Sequence, residues 1–434
     1  MSTALLDSYK TGFAQLPEAP MRANHLSPLR SSALIGTISD GLPDQRTERW
    51  KYTSLRALGA RAFALISNPV EVDPALFAAI PAPRMVFVNG HLDLAHSRLD
   101  ALPQGLSVRP LSQSLGAGDM RAVGAVAQRF EGSEEAFARL NMAVALEGAH
   151  VHVAAGTRVE TPLHLVFVGA ITAEGDLAVT LRNLVELQDG ASLTLIEHHC
   201  GADAHRHLHN HVTQLRLKPA SALMQVRVQD EVSGASVIAR TDAALAADAD
   251  YRLLDLELGA ALSRLDLNVS LQGQRASVTA NGVQLADARR HLDTHLNIEH
   301  VAGDSRSAVA WRGLADARGR AVFHGGIIIR AGADGSDANL NSRNLLLSAD
   351  AEIDAQPVLE IYADEVKAAH GATVGQLDAN ALFYLRSRGI PEAQARTLLT
   401  SAFCREALRV VEDPAMADAL AARIEAMLQR GRSA

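Results

Sequence analysis

At Gly148 the apolar periodicity of this chain changes from helical to two, and it stays there for most of the stretch up to about residue 356 without an intervening long helix. Segments at 149–154, 163–168, 191–198, 211–217, 224–228 and 265–271 mostly alternate apolar with polar residues, several beside Gly, Asp, Asn or Pro. The clearest is LDLNVSL at 265–271, with Leu265, Leu267, Val269 and Leu271 on one face. A weak repeat runs through these strands. Ala191, Ala220, Ala249, Ala276, Ala321 and Ala351 are spaced by 29, 29, 27, 45 and 30 residues, and two places after each stands Leu193, Ala222, Tyr251, Val278, Phe323 or Ile353. Strands recurring at this period without helices suit a solenoid whose coils each give two or more strands to parallel sheets, the 45-residue spacing holding an extra excursion. A β-sandwich is the rival; Asn281-Gly282 is its one strong hairpin signal. The pattern favours the β-helix.

Both flanks read as helical. Leu5, Leu6, Tyr9 and Phe13 recur at helical spacing, Leu26, Leu29, Leu34 and Ile35 form a looser second set, and Pro17, Pro20 and Pro43 punctuate them. Trp50 stands among charges in RTERWKYTSLRAL, either on a docking face or, the preferred reading, packed at the edge of an amphipathic helix. A short β pair is expected near 85–89, then helices near 110–130 and 133–145. At the far end Asp378 is a cap for a helix through Leu382, Phe383, Tyr384 and Leu385 that Gly389 ends. Pro391 opens a second helix through Leu398, Leu399, Phe403 and Leu408, and Asp413-Pro414 a third ending near Gly431. These helices carry apolar stripes with little in their own segment to bury, as an appendage that docks would. The divisions expected are a mainly helical region at 1–145, a β-helix core at 146–370 and a helical region at 371–434.

With 434 residues the chain can bury an ample core without staples. Its formal charge of -8 offers nothing general to nucleic acid or an anionic membrane. No apolar run is long enough to span a bilayer, and MSTALLDSYKTG lacks the pattern of a secretion signal, so a cytoplasmic location is expected. Cys200 and Cys404 are the two cysteines, too few for a cluster held by this chain's thiolates alone.

No nucleotide loop survives inspection: GATVGQLD at 371–378 and GAGDMR at 116–121 lack the residues that cradle phosphate. No Gly-x-Ser-x-Gly elbow or His-Glu-x-x-His motif occurs. The densest set of metal-ligand types is His198, His199, Cys200, His205, His207, His209 and His211. On a strand, the alternating His205, His207, His209 and His211 would project from one face at a spacing imidazoles can share with a metal. A solvated strand face or a polar ladder between coils fits the same pattern. His370, alone in KAAHGATVG, reads by itself as structural.

Five stretches resemble the SufB/SufD family of iron–sulfur cluster assembly scaffolds: RWKYT at 49–53, NSRNLLLS at 341–348, PVLEIY at 357–362, VKAAHGATVG at 366–375 and LFYLRSRGI at 382–390. The His-Gly-Ala wording is similar to the SufD branch. The resemblance implies a mainly β protein, a right-handed parallel β-helix core flanked by helical N- and C-terminal regions. It implies a non-catalytic scaffold subunit that forms a heterodimer with a SufB-like paralogue, core to core, and couples to a SufC-like ATPase. That ATPase would dock on Leu382, Phe383, Tyr384, Leu385, Arg386, Arg388, Gly389, Ile390, Leu398, Leu399 and Phe403. A homodimer of the isolated chain is compatible with it; nucleic acid and membrane are not among its partners. The family's candidate cluster-site histidine falls on His370, a candidate interface metal ligand. Many SufD sequences carry a cysteine two residues earlier, where this chain has Ala368. No cofactor would then be held stably by this chain alone, and a transient iron–sulfur cluster would be shared with SufB. Two alternatives remain: a self-pairing B-type scaffold, and a polysaccharide-acting β-helix enzyme using Asp266, Asp293 and Glu299.

Overall fold

The computed structural model describes residues 3–17 and 25–430; Pro20 and Gly431, named above as punctuation, lie outside them. The helices are α1 (Ala4–Phe13), α2 (Ser27–Asp40), α3 (Arg56–Gly59), α4 (Leu111–Gly116), α5 (Met120–Val126), α6 (Ala136–Val144), α7 (Ala379–Ser387), α8 (Glu392–Arg405) and α9 (Pro414–Arg430). The strands are β1 (Arg84–Val88), β2 (His91–Leu92), β3 (Leu106–Pro110), β4 (Ala149–Val153), β5 (Leu163–Gly169), β6 (Ala178–Leu187), β7 (Ser192–Gly201), β8 (Leu208–Leu217), β9 (Ala222–Asp230) and β10 (Ser236–Leu245). They continue with β11 (Asp250–Glu257), β12 (Leu262–Leu271), β13 (Ser277–Ala286), β14 (His291–His300), β15 (Arg306–Ala315), β16 (Arg320–Ile329), β17 (Asp337–Leu346), β18 (Glu352–Ile361) and β19 (Lys367–Gly375).

Odd-numbered strands from β5 onward join one sheet and even-numbered strands from β4 the other, each parallel to its neighbours, in a solenoid of about seven turns. The β pair expected near 85–89 is β1 with β2, and β1 continues the odd sheet beside β5. Expected strands are present, but the helix foreseen over 110–130 is two short ones, α4 and α5.

The repeat has a simple physical origin. From β7 to β17 each entry into the odd sheet is a residue in the left-handed region followed by a small buried one: Gly190-Ala191, Ala220-Ser221, Asp248-Ala249, Arg275-Ala276, Asp304-Ser305 and Gly335-Ser336. The corner needs the positive φ, and the next residue must fit inside the bend. This corrects the alanine series. Ala220 is the corner itself, and Ala321 and Ala351 belong to the even sheet, on β16 and just before β18. The 45-residue spacing therefore holds no excursion. It is about one and a half coils, because both sheets begin their strands near small residues. Asn281-Gly282 is no hairpin either: it lies inside β13, where a Cβ on Gly282 would sit 2.2 Å from the Trp311 ring.

Inward residues stack rung upon rung. One column runs Leu195, Gln225, Leu253, Ala280, Val309, Leu340 and His370 in register. Helices cover the outer faces, so many strands are buried on both sides. The N-terminal helices pack over Ala178, Leu208 and Ile238 of the even sheet with Trp50 at the centre. Trp50 is packed, as preferred, but in a 3₁₀ turn rather than on a long helix: its Nε1 donates to the Glu134 carbonyl at 3.0 Å and Arg264 stacks on its ring at 3.9 Å.

Around it the RWKYT stretch locks to the solenoid. Arg264 donates to Asp293 at 2.7 Å and to Asp266 at 2.9 Å; Thr53 donates to Asp293 at 2.5 Å and Arg49 to Asp266 at 3.3 Å. Asp266 and Asp293 are thus consumed in a buried ion network, and Glu299 pairs with Arg330, so these three do not line an open carboxylate cleft. Burial would raise the Asp293 carboxyl, but facing His295 and Arg264 outweighs it and holds it well below the ordinary range; Arg264 and Arg49 do the same for Asp266.

Removing one partner of such a network leaves the others charged and dry. Arg264→Ala is expected to cost about 3–5 kcal/mol in denaturant unfolding, whereas Arg275→Ala, which breaks the exposed pair with Asp248, leaves the midpoint in place. Since both buried carboxyls sit below their unfolded values, their contribution is complete above about pH 5 and falls away as pH drops through about 4 and below. The Arg264→Ala penalty should shrink over that same window.

Candidate functional site

The solenoid stops at β18 and β19, and each has a partner on one side only. The N–H groups of Glu352 and Tyr362 point at β16, so by alternation those of 353, 355, 359 and 361 point to the free edge. Pro357 falls on that outward phase, where its missing N–H costs no ladder bond. On β19 the Lys367 N–H points at the Ser336 carbonyl, which turns the backbone of Ala368, His370, Ala372 and Val374 outward. The NSRN stretch holds this last strand: Asn344 Nδ2 donates to the Thr373 carbonyl at 3.0 Å. Room for it exists because a Cβ on Gly313 would lie 2.4 Å from Asn344 Oδ1.

His370 sits in the middle of β19, in register with the buried Leu340, and is itself exposed. It is the last rung of an inward column, with no further rung of this chain above it among the described residues. Ala368 occupies the adjacent inward position and packs partly on the core. The imidazole therefore stands on an open end, beside a methyl rather than a thiol.

The C-terminal segment divides in two. Cys404, Ala407, Leu408, Val410, Leu420, Ala421, Ile424 and Met427 pack on Val226, Val228, Leu254, Leu256, Val283, Leu285 and Leu314 of the odd sheet's outer face. Asn281 Nδ2 donates to the Ala407 carbonyl at 2.9 Å, and Arg312 pairs with Glu406 at 2.5 Å. These stripes thus have partners after all. Phe403 belongs to this anchored half, with Arg312 over its ring at 5.6 Å. The other half is free. Asp378 caps α7 by accepting from Asn380 and Ala381, Gly389 closes it at φ 84°, and α7 buries none of its residues. Phe383 is 72% exposed, Tyr384 57% and Leu398 47%, while Leu382, Leu385, Ile390 and Leu399 are half-buried. Arg388 lies over the Tyr384 ring, and Arg386 pairs with Glu392.

The histidine set is neither solvated nor on one strand face. The strand β8 starts at Leu208, so His205 and His207 lie in the corner before it, and all four are buried. His207 is fully used: its Nε2 donates to the Ala170 carbonyl at 2.8 Å and its Nδ1 accepts from Leu177 at 3.0 Å. His211 packs tilted against His199 at 5.1 Å between ring centroids and edges onto Phe167. His205 and His209 instead converge on Glu231, which no spacing argument had picked out because it comes from the next coil. Burial holds His209 and His211 well below the ordinary imidazole range, hence neutral.

A second buried polar set also escaped the sequence. Glu197, Arg227, Asp255 and Glu257 occupy inward positions, Arg227 donating to Asp255 at 2.8 Å and to Glu257. Burial pushes Glu197 up to about 7. Polar residues in phase with Leu195 and Leu253 were the available signal.

Comparison with known proteins fits this architecture. Residues 170–403 match the model described as SUF system FeS cluster assembly, SufBD core domain, and residues 4–165 the SufBD protein N-terminal region. The chain belongs to the SufB/SufD family. It is 31% identical over 411 residues to the iron–sulfur cluster assembly protein SufD of Escherichia coli, covering 93% of this chain and 94% of that one. An iron–sulfur cluster assembly SufBD family protein of Synechocystis is 30% identical over 388 residues, 86% and 84% of the two chains. The SufB of Bacillus subtilis is 25% identical over 273 residues, 62% and 58%. The branch is SufD.

The division between anchor and free helix is testable within this chain. Leu254→Ala should cost about 2–5 kcal/mol and open α8 and α9 to limited proteolysis. Phe383→Ser should shift stability by less than about 0.5 kcal/mol and leave the digest pattern unchanged.

Proposed function

We propose that this chain is a non-catalytic scaffold subunit in iron–sulfur cluster assembly, pairing through the open end of its β-helix with a SufB-like paralogue. The observation that carries the reading is His370: an exposed imidazole on the terminal rung, flanked by strand edges that no strand of the described residues completes. Unpaired parallel edges are templates for another strand, and a core-to-core partner would satisfy them. The cluster is cargo here. His370 would supply one nitrogen ligand, and with Ala368 beside it the sulfur ligands would come from the partner. A single labile imidazole suits a scaffold that must give its cluster away.

The second element is the free helix. Phe383, Tyr384 and Leu398 form an exposed apolar surface on a segment whose other half is fastened to the odd sheet. In this reading a SufC-like ATPase grips that surface, hydrolyses ATP on its own phosphate loop, and transmits motion through α8 to the solenoid. A self-pairing B-type scaffold is less well supported, since similarity to the E. coli SufD spans nearly the whole chain and that to the B. subtilis SufB much less of it.

His370→Ala is expected to leave the complex intact on a sizing column while lowering iron and sulfide per reconstituted complex by about tenfold or more. Polar replacements at Phe383, Tyr384, Leu385 and Leu399 should release the ATPase with the paralogue still bound. Normal cluster content in the His370 variant would remove its role as a ligand; retained ATPase would remove the helix's role as a handle.

A further inference from the structure

We propose that His205, His209 and Glu231 form a binding site for one divalent first-row metal ion, zinc or ferrous iron, beneath the corner between β7 and β8. The site is separate from His370.

The donor atoms are in place. His205 Nε2 is 3.3 Å from one Glu231 oxygen and His209 Nε2 3.4 Å from the other, and the three ligand atoms lie within 4.8 Å of one another. A tetrahedral ion with bonds of about 2.0–2.1 Å sets its ligands about 3.3 Å apart. Both nitrogens nevertheless lack a hydrogen-bond partner, although their side chains are 1% and 3% exposed. Such buried atoms are rarely left unsatisfied. They approach the two oxygens of one carboxylate to 3.3 and 3.4 Å without the geometry of a hydrogen bond.

The backbone leaves space at that point. Gly169 and Gly201 stand opposite each other in register on β5 and β7. A Cβ on Gly169 would fall 2.2 Å from His205 Nε2 and 3.0 Å from His209 Nε2; one on Gly201 would fall 3.1 Å from both His205 Nε2 and a Glu231 oxygen. Two glycines thus keep clear the volume that the three donors surround. Three protein ligands with an open fourth position, two imidazoles and one carboxylate, select divalent first-row ions over calcium or magnesium, which prefer all-oxygen shells. His205 Nδ1 accepts from the His207 N–H at 3.2 Å, so coordination through Nε2 requires the other tautomer and gives up that long bond. The carboxylate is oriented by the Val232 N–H, which donates to it at 3.2 Å.

The test uses the tag-free full-length chain, stripped with chelator and dialysed anaerobically against Zn²⁺ alone or Fe²⁺ alone, with bound metal counted by elemental analysis. One ion per chain is expected, with a raised thermal midpoint. His209→Ala and Glu231→Gln should each weaken binding by about tenfold or more. So should Gly169→Ala, which keeps every donor and fills the space. Glu231→Gln is nearly isosteric, and an unchanged metal-free midpoint shows that its loss of metal is loss of a ligand. Substoichiometric metal in the parent chain, unaltered affinity in all three variants, or metal lost from His370→Ala instead would overturn the proposal.

Discussion

Parallel in-register stacking is the interaction on which the rest of this structure depends. Each coil completes its backbone hydrogen bonds with the coil below and offers a fresh row to the coil above, so no rung is satisfied alone. The cost is deferred to the ends. At the first coils β2 and β3 cap the sheets by pairing antiparallel, turning the chain away from the stack. At the last coil nothing in the described chain does so, and β18 and β19 keep their outer rows open. That asymmetry leaves one end of a regular solenoid with open strand edges among the described residues.

The helices solve a different problem. A sheet whose outer face carries Val226, Val228, Leu254 and Leu256 needs a cover, and the C-terminal segment supplies it through Leu408, Ile424 and Met427. Because that half is fixed by burial and by Asn281 and Arg312, the free half projects from a rigid base. A force applied at Phe383 would therefore reach the strands rather than dissipate in a loose tail.

Much of this was legible in the chain. Period-two alternation found β4, β5, β7, β8, β9 and β12, and the caps at Asp378 and Gly389 placed α7. Alternation cannot say which face is inside, however. In β9 the apolar Val226 and Val228 face outward to helices, while Gln225, Arg227 and Gln229 face the interior, the reverse of what a one-layer reading assigns. The coil count slipped for a related reason: small residues mark strand starts in both sheets. Glu231 was invisible because its partners lie one coil earlier in the chain, a contact that local spacing does not encode. His370 drew attention only through family resemblance; its place on the terminal rung needed the register.

The most direct measurement is amide hydrogen exchange on the isolated chain and on its mixture with a SufB-like paralogue. The outward amides of Ala368, His370, Ala372 and Val374 should exchange fast alone and become protected in the mixture, together with those of Ile353, Ala355 and Leu359. If these edges still exchange freely in a formed complex while another surface becomes protected, the open end is not where this scaffold pairs.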